Sequence, residues 1–245
     1  MIDRTIETDV LIIGGGGGGL RAAVEAHEAG ARVLVLSKGI VGKSGLTQTA
    51  VTGFQVAFGY ADPRDNADVH YADTIRGGYG LADPELARIF TAGAVEAVED
   101  IESFGARFDR EPDGKLVQRK LDSSQTYPRS IKKGDSLGTP IMQALRRQIN
   151  KRKIPRMHEI LVTSLLKDGD RVCGAIAVDF QAGELLEIRA GAIVMAAGGA
   201  GEMFPVHSNT PDSTGDGYVL ALEAGADLVD IEFLLMLGHA VLHPA

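Results

Sequence analysis

The stretch DVLIIGGGGGGLRAA, residues 9–23, decides the fold. An apolar strand runs directly into a glycine turn and then into a helix, and Gly14, Gly16 and Gly19 satisfy the G-x-G-x-x-G pattern of a dinucleotide site. The second glycine lets a pyrophosphate approach the backbone, and the N–H groups at the helix start bind phosphate oxygens. A flexible glycine linker would not follow a buried strand and begin a helix.

The composition narrows the class of protein. The chain has 245 residues, a net charge of -8 and 44% hydrophobic residues, which argues against nucleic acid as the main partner. Its single cysteine, Cys173, provides neither a disulfide nor a cysteine-ligated iron–sulfur cluster, and we interpret it as a buried thiol. The sequence has neither the apolar core of a signal peptide nor an apolar stretch long enough to span a bilayer. We therefore expect a cytoplasmic protein or a subunit docked to a larger assembly.

The flanking pattern predicts an α/β fold. Strands over 9–13 and 32–36 around a helix over 17–29 form a β-α-β unit, which indicates a doubly wound parallel sheet with helices on both faces. The segment 37–64 is rich in Gly, Ser and Thr and is expected to be irregular and functional. Further helices are predicted over 84–104, 139–153 and 214–224.

A different pattern follows in the second half. Short apolar runs separated by turns predict an antiparallel β-meander over about 158–190, which feeds a buried strand ending in Ala196 to Gly199. Ligands bind at the carboxyl ends of strands in such sheets. The run Thr214-Gly215-Asp216-Gly217 then sets a carboxylate and N–H groups at a helix start. We expect these pieces to form a second nucleotide-contact region.

Taken in this order, the motifs resemble the flavoprotein subunit family of fumarate reductase and succinate dehydrogenase, which also includes L-aspartate oxidase and adenylylsulfate reductase. The resemblance covers nearly the whole chain and extends to Gly42–Thr47 and Asp135–Gly138. It implies an FAD-binding domain of the glutathione-reductase-like type over residues 1–245. It favours FAD over NAD, and Ser37 stands where an NAD site usually has an acidic residue.

The motifs and the resemblance together predict the cofactor contacts. These are Ile13, Gly14, Gly16, Gly17, Gly18, Gly19, Ser37, Lys38, Gly39, Ser44, Gly45, Leu46, Thr47, Gly53, Val162, Ala197, Gly198, Gly199, Thr210, Gly215 and Asp216. Covalent family members link the flavin to a His before the corresponding Thr, where this chain has Leu46. The FAD is therefore expected to be noncovalent. No metal site is predicted.

The resemblance also suggests where a substrate would bind. Asp230–Phe233 matches a D-x-E-F stretch that continues in the family into a substrate-contacting His-Pro-Thr, but Leu237-Gly238 occupies that place here. His243 lies six residues later and is the candidate catalytic residue, with His239 a weaker one; a rim or surface histidine is the alternative. The family continues into a capping domain with a proton-donating Arg and then back to the FAD domain, and both segments are expected to be absent.

The function expected from the resemblance is hydride transfer between the flavin and a carbon of a small acid substrate. The electrons would pass to a partner, such as an iron–sulfur or other electron-transfer subunit, or to a small acceptor. An L-aspartate oxidase or adenylylsulfate reductase type is the alternative within the family. A non-catalytic FAD-binding module, or half of a split enzyme, is the alternative outside it, and the run Ala196 to Gly199 together with Thr214 to Gly217 disfavours an NAD-dependent dehydrogenase.

Overall fold

Strands and helices alternate in the first part of the chain, and strands follow one another in the second. The computed structural model describes residues 2–121 and 124–235. In chain order, its elements are β1 (Arg4–Ile13), α1 (Gly17–Glu28), β2 (Val33–Ser37), α2 (Leu46–Thr49), β3 (Phe54–Gln55), α3 (Ala67–Gly77), α4 (Pro84–Ser103), β4 (Ser130–Ile131), α5 (Gly138–Lys151), β5 (Arg156–His158), β6 (Ile160–Asp168), β7 (Arg171–Asp179), β8 (Glu184–Met195), a 3-10 turn (Gly201–Met203) and α6 (Asp216–Ala224).

The central sheet has six strands in the order β5-β2-β1-β8-β7-β6. The first four are parallel, and Val10 of β1 lies opposite Val33 on one side and Ala192 on the other. The β6–β7 and β7–β8 pairs are antiparallel. The predicted parallel sheet and the predicted meander are therefore both confirmed, and they share one sheet.

Strand β8 joins these two halves. The sequence predicts that the meander ends near residue 190 and then feeds a separate buried strand, but in the structure one strand passes through Gly191 without a break. It pairs antiparallel with β7 over its first half and parallel with β1 from Leu186 to Met195. Added at Gly191, a Cβ would lie 3.2 Å from the carbonyl oxygen of Asp9, so the small residue permits this close pairing.

Two apolar cores lie on the two faces of the sheet. On one face, Leu20 of α1, Met142 of α5 and Val98 of α4 belong to the same buried cluster. On the other face, β6 and α6 pack over the parallel strands, and Ile160 and Leu220 belong to a second cluster. Because β6 also contacts β2, the antiparallel strands curl over the carboxyl ends of the parallel ones.

The region between β2 and α5 departs most from the sequence prediction. Helix α3 was not predicted; it begins after Asn66, whose side chain accepts hydrogen bonds from Asp68 N and Val69 N. Buried Arg129 pairs with Asp65 Oδ1 at 2.9 Å and with Asp73 Oδ2 at 2.7 Å, which joins α3 to the segment that forms β4.

Two smaller findings concern burial and membranes. Cys173 on β7 is half-buried rather than fully buried. Among the residues described, no helix has both the length and the apolar character that a bilayer-spanning helix requires.

Candidate functional site

The glycine turn brings together the carboxyl ends of three parallel strands. Gly14 has a φ of 119°, a conformation that disfavours side chains, and an added Cβ would lie 2.0 Å from the carbonyl oxygen of Ala196. Its N–H donates to the carbonyl of Leu36 at 2.8 Å. At Gly19 an added Cβ would lie 1.9 Å from the carbonyl oxygen of Gly14. These two glycines are therefore required for the packing of the turn itself.

The start of α1 is open to a ligand. Gly16 occupies the N-cap position and provides no side-chain hydrogen bond to the helix. The N–H of Gly17 donates to Thr47 Oγ1 at 3.1 Å, and an added Cβ at Gly18 would meet no described atom within 4 Å. The first N–H groups of a helix lack partners within the helix and carry the positive end of its dipole, so this end suits an anion.

A cavity of about 550 Å³ extends from this helix start across the strand ends. Its size lies within the 300–1,000 Å³ that is typical of ligand sites. The described residues that line it are Ile13 to Gly18, Leu36 to Gly39, Ser44 to Thr47, Ile160 to Val162, Val194 to Gly198, Asp212, Ser213, Asp216 and Leu220.

Opposite charges meet at the end of β2. Lys38 Nζ lies 2.7 Å from Asp216 Oδ2, and both groups also contact the hydroxyl of Thr214. Burial alone would raise the pKa of Asp216, but the hydrogen bonds from Lys38 and Thr214 hold that pKa below its usual value. This pair fixes the first turn of α6 next to the end of β2, and both residues line the cavity.

A second polar contact fixes the loop that precedes α2. Asp212 Oδ2 accepts a hydrogen bond from the N–H of Gly45 at 3.2 Å. The hydroxyl of Ser44 donates to the carbonyl of Ile40 at 2.9 Å. The loop over 40–45 and the segment over 210–216 are therefore in direct contact, and both contribute residues to the lining of the cavity.

Most of the cofactor contacts predicted from the sequence line this cavity. Those that line it are Ile13, Gly14, Gly16, Gly17, Gly18, Ser37, Lys38, Gly39, Ser44, Gly45, Leu46, Thr47, Val162, Ala197, Gly198 and Asp216. Those that lie outside the described lining are Gly19, Gly53, Gly199, Thr210 and Gly215.

The predicted contacts outside the lining have other neighbours. Gly53 packs against β4, where an added Cβ would lie 2.9 Å from the carbonyl oxygen of Ile131. The carbonyl of Gly199 accepts a hydrogen bond from the N–H of Gly215, and Thr210 contacts Ser213. The predicted catalytic residue His243, and also His239, lie outside the described residues.

Sequence reasoning missed several lining residues. Leu36, Val194 and Met195 lie at the carboxyl ends of β2 and β8, and that position alone could have predicted them. Asp212 follows Asn209-Thr210, in the segment already assigned to nucleotide contact, but its hydrogen bond to Gly45 depends on a distant loop. Over 2–121 and 124–235, no group of three or more His, Cys, Asp or Glu side chains could hold a metal ion.

Comparison with known proteins identifies the family. Residues 9–244 match the family model described as "FAD binding domain". The chain belongs to this FAD-binding family. The resemblance proposed from the motifs is thereby confirmed, and the cofactor is FAD.

Three similar proteins place the chain within the family. The fumarate reductase (CoM/CoB) of Methanothermobacter marburgensis has a subunit that is 43% identical over 95% of this chain and 42% of its own length. The L-aspartate oxidase of Streptomyces coelicolor is 33% identical over 94% of this chain and 40% of its own. A structure of the Mycobacterium smegmatis Sdh1 complex superposes with a TM-score of 0.87 and 37% identity, over 91% of this chain and 39% of that one. The chain thus spans about 40% of the length of these relatives.

The residues present fit FAD. The uncapped start of α1, where glycines leave space on the ligand side, accommodates a pyrophosphate. The end of β2 carries a buried hydroxyl, Ser37, whereas an NAD site usually has an acidic residue there. Small residues Ala196 to Gly198 leave space at the end of β8 for a flat ring system.

Proposed function

We propose that this chain forms the FAD-binding part of a flavin oxidoreductase of the fumarate reductase and succinate dehydrogenase type. The observation that carries the proposal is the open glycine turn at the head of a 550 Å³ cavity, in a chain of the FAD-binding family. Bound FAD would supply hydride and electron transfer, here to or from a carbon of a small acid.

Different residues of the chain would bind different parts of the cofactor. The backbone at Gly16 and Gly18 would bind the pyrophosphate, since both residues line the cavity at a helix start. The N–H of Gly17 between them donates to Thr47 Oγ1. Lys38 and Asp216, which both line the cavity, would donate to and accept from hydroxyl groups of the cofactor. The apolar side chains Leu36, Val162 and Leu220 would exclude water from the bound cofactor.

The FAD is proposed to be noncovalent. Leu46 lines the cavity at the position where covalent family members have the linking His, and its side chain has no nucleophilic atom. Acid precipitation of the purified holoprotein should release all of the flavin into the supernatant. Flavin fluorescence that stays on the protein band of a denaturing gel would contradict the proposal.

Proton transfer to a substrate needs a group that the described part of the cavity does not provide. The charged side chains in its lining are Lys38, Asp212 and Asp216, and each is engaged in a hydrogen bond or an ion pair. Efficient acid–base catalysis requires a group within hydrogen-bond reach of the proton it moves. We therefore propose that this group lies outside the described residues, where His243 stays a candidate.

The experiment that tests the proposed function is fumarate reduction with a reduced viologen dye, using the FAD-loaded 245-residue chain. We expect FAD to bind and the flavin to be reduced by the dye, but fumarate turnover to stay far below about 1 per second, a rate that ordinary enzymes reach. Turnover above that rate, lost in His243→Ala, would assign the proton-moving role to His243. Failure of the chain to bind FAD would overturn the proposal as a whole.

A second candidate function is that of an L-aspartate oxidase, favoured by the 33% identity to the Streptomyces coelicolor enzyme. Oxidation of L-aspartate by the FAD-loaded chain, at a rate above that of fumarate reduction in the same preparation, would favour this second function.

The proposal also includes an electron-transfer partner, such as an iron–sulfur subunit, because the Methanothermobacter marburgensis relative is named as one subunit of its enzyme. A cytoplasmic location, peripheral to a membrane-bound complex, is part of the same proposal.

A further inference from the structure

A second, smaller cavity lies on the other side of the loop over 40–45. Its volume is about 170 Å³, and it opens between that loop, α5 and β5. Its polar lining consists of Lys43, Arg146, Asn150, Arg156 and His158. All of these side chains carry hydrogen-bond donors, and the described lining includes no carboxylate. We call it the basic pocket.

The two arginines of the basic pocket differ from the others in the chain. Within the described residues, each of the other arginines has a hydrogen bond, an ion pair or an aromatic ring as a partner. Arg152, for example, directly follows α5 and pairs with Glu28. Among the described residues, no such partner is found for Arg146 or Arg156, and none is found for Lys43. Unpartnered guanidinium groups in a concave site are well suited to bind an oxyanion through two parallel hydrogen bonds.

His158 adds a donor of fixed orientation. Its Nδ1 accepts a hydrogen bond from the N–H of Val41 at 3.0 Å, so the proton of the neutral ring is on Nε2. Burial lowers the pKa of His158, the charges of Arg156 and Lys43 lower it further, and the charge of Glu159 acts in the opposite direction.

We propose that the basic pocket binds a small divalent oxyanion of the phosphate type. The two guanidinium groups would bind its oxygens, and Lys43 would neutralise its remaining charge. The guanidinium of Arg146 reaches the pocket because Gly42 has no side chain: an added Cβ there would lie 2.5 Å from Arg146 Cγ.

The position of the pocket couples it to the FAD cavity. The N–H of Gly42 donates to the carbonyl of Gly15 in the glycine turn at 2.9 Å, and Ser44 and Gly45 of the same loop line the FAD cavity. An anion that binds Lys43 to α5 and β5 would hold this loop in place. We therefore expect the bound anion to slow FAD release, an expectation that rests on the proposed function.

Calorimetric titration of inorganic phosphate into the protein at low salt tests the site. The free start of α1 also attracts phosphate, so the titration is done both without FAD and with FAD bound. We expect saturable binding at one site in the FAD-bound protein. In the double variant Arg146→Gln/Arg156→Gln the affinity should fall by about tenfold or more, because two charge-assisted contacts are lost. Glutamine retains the Cγ that packs against Gly42.

The matched control is Lys151→Gln/Lys153→Gln, which removes two positive charges at the end of the same helix and leaves the pocket unchanged. Both lysines are exposed and neither belongs to the described lining of the pocket. Equal weakening in the two double variants would overturn the proposal, because it would show a general charge effect. Absence of saturable binding to the wild type would overturn it as well.

Two further measurements identify the ligand and the coupling. Succinate replaces phosphate in a parallel titration, and tighter binding of succinate would assign the pocket to dicarboxylates instead of phosphate.

FAD release is followed by the rise of flavin fluorescence, and phosphate should slow it in the wild type but not in the arginine double variant. An unchanged release rate would overturn the coupling. A chain that fails to bind FAD would overturn the proposed function, and the titration of the FAD-free protein would still test the pocket.

Discussion

The two sides of the glycine turn are built from the same residue for different reasons. On the side that faces the sheet, an added Cβ would lie 2.0 Å from a main-chain oxygen at Gly14 and 1.9 Å from one at Gly19. On the side that faces the cavity, it would lie 3.7 Å from Thr47 Oγ1 at Gly16 and would meet no described atom within 4 Å at Gly18. The first pair is required by the fold, and the second pair leaves room for the ligand.

Substitution on the sheet side should have the largest effect. In Gly14→Ala the new methyl group would overlap the carbonyl of Ala196, and the residue would have to keep a φ of 119°. Overpacking costs about 1–3 kcal/mol, and the left-handed backbone adds about 1–2 kcal/mol. We expect the free energy of unfolding of the FAD-free protein, measured with urea, to fall by about 3 kcal/mol.

The control for this variant is Gly18→Ala in the same turn. Because the added methyl group has open space around it in the described structure and alanine favours a helix, the FAD-free protein should be as stable as the wild type or slightly more stable. Equal losses in Gly14→Ala and Gly18→Ala would show that the two sides of the turn do not differ as the geometry requires.

Substitution on the cavity side should affect the ligand and leave the fold intact. In Gly16→Val the side chain projects from an extended backbone at the N-cap of α1, where the protein leaves space and the pyrophosphate is proposed to lie. We expect FAD affinity to fall by more than about tenfold, which is about 1.4 kcal/mol. The free energy of unfolding without FAD should change by less than about 1 kcal/mol.

FAD affinity is measured by fluorescence titration of the stripped protein, and stability by urea unfolding of the same sample. Purified Gly16→Val that retains normal FAD content would place the pyrophosphate elsewhere. Loss of stability comparable to that of Gly14→Ala would mean that Gly16 serves the fold.

The sequence predicted the parts of the fold that depend on local patterns. The β-α-β unit, α4 and the meander follow from apolar periodicity, capping residues and turns, and all are present. Helix α3 was missed because its apolar face is weak: the described contacts that stabilise it include the buried pairing of Asp73 with Arg129, far away in the sequence. Strand β5 has three residues, too few for a periodic signal, and it forms because β2 offers a free edge.

In the candidate site, too, the features that depend on local sequence patterns were predictable and those that depend on distant contacts were not. The role of glycines at a strand–helix junction can be recognised from the sequence alone. Most of the predicted contacts therefore line the cavity. Asp212 and the basic pocket could not be predicted, because each depends on loops and helices that meet only after folding. The helix predicted over 139–153 carries several basic residues, and in the structure one of them, Arg146, lines the basic pocket.

A side-chain pair in the same cavity should matter less than either kind of glycine. Burial alone would raise the pKa of Asp216, but the hydrogen bonds from Lys38 and Thr214 lower it below the usual 3.8. A carboxyl group whose pKa is lowered by folding stabilises the protein above its unfolded pKa, and this contribution is lost as the pH falls through the folded pKa. Asp216→Asn should therefore destabilise the FAD-free protein at pH 7 and should cost progressively less stability below about pH 4.

The magnitude at pH 7 should be less than about 1 kcal/mol, because the side chains of Lys38 and Asp216 are 25% and 40% exposed and water screens the pair. Urea unfolding at pH 7 and at the lowest pH at which the wild type stays folded measures the difference. Asp227→Asn, at an exposed carboxylate outside the described cavity lining, is the matched control. A loss in Asp216→Asn that is the same at both pH values would mean that the side chain acts through packing and that its charge does not bind Lys38 to α6.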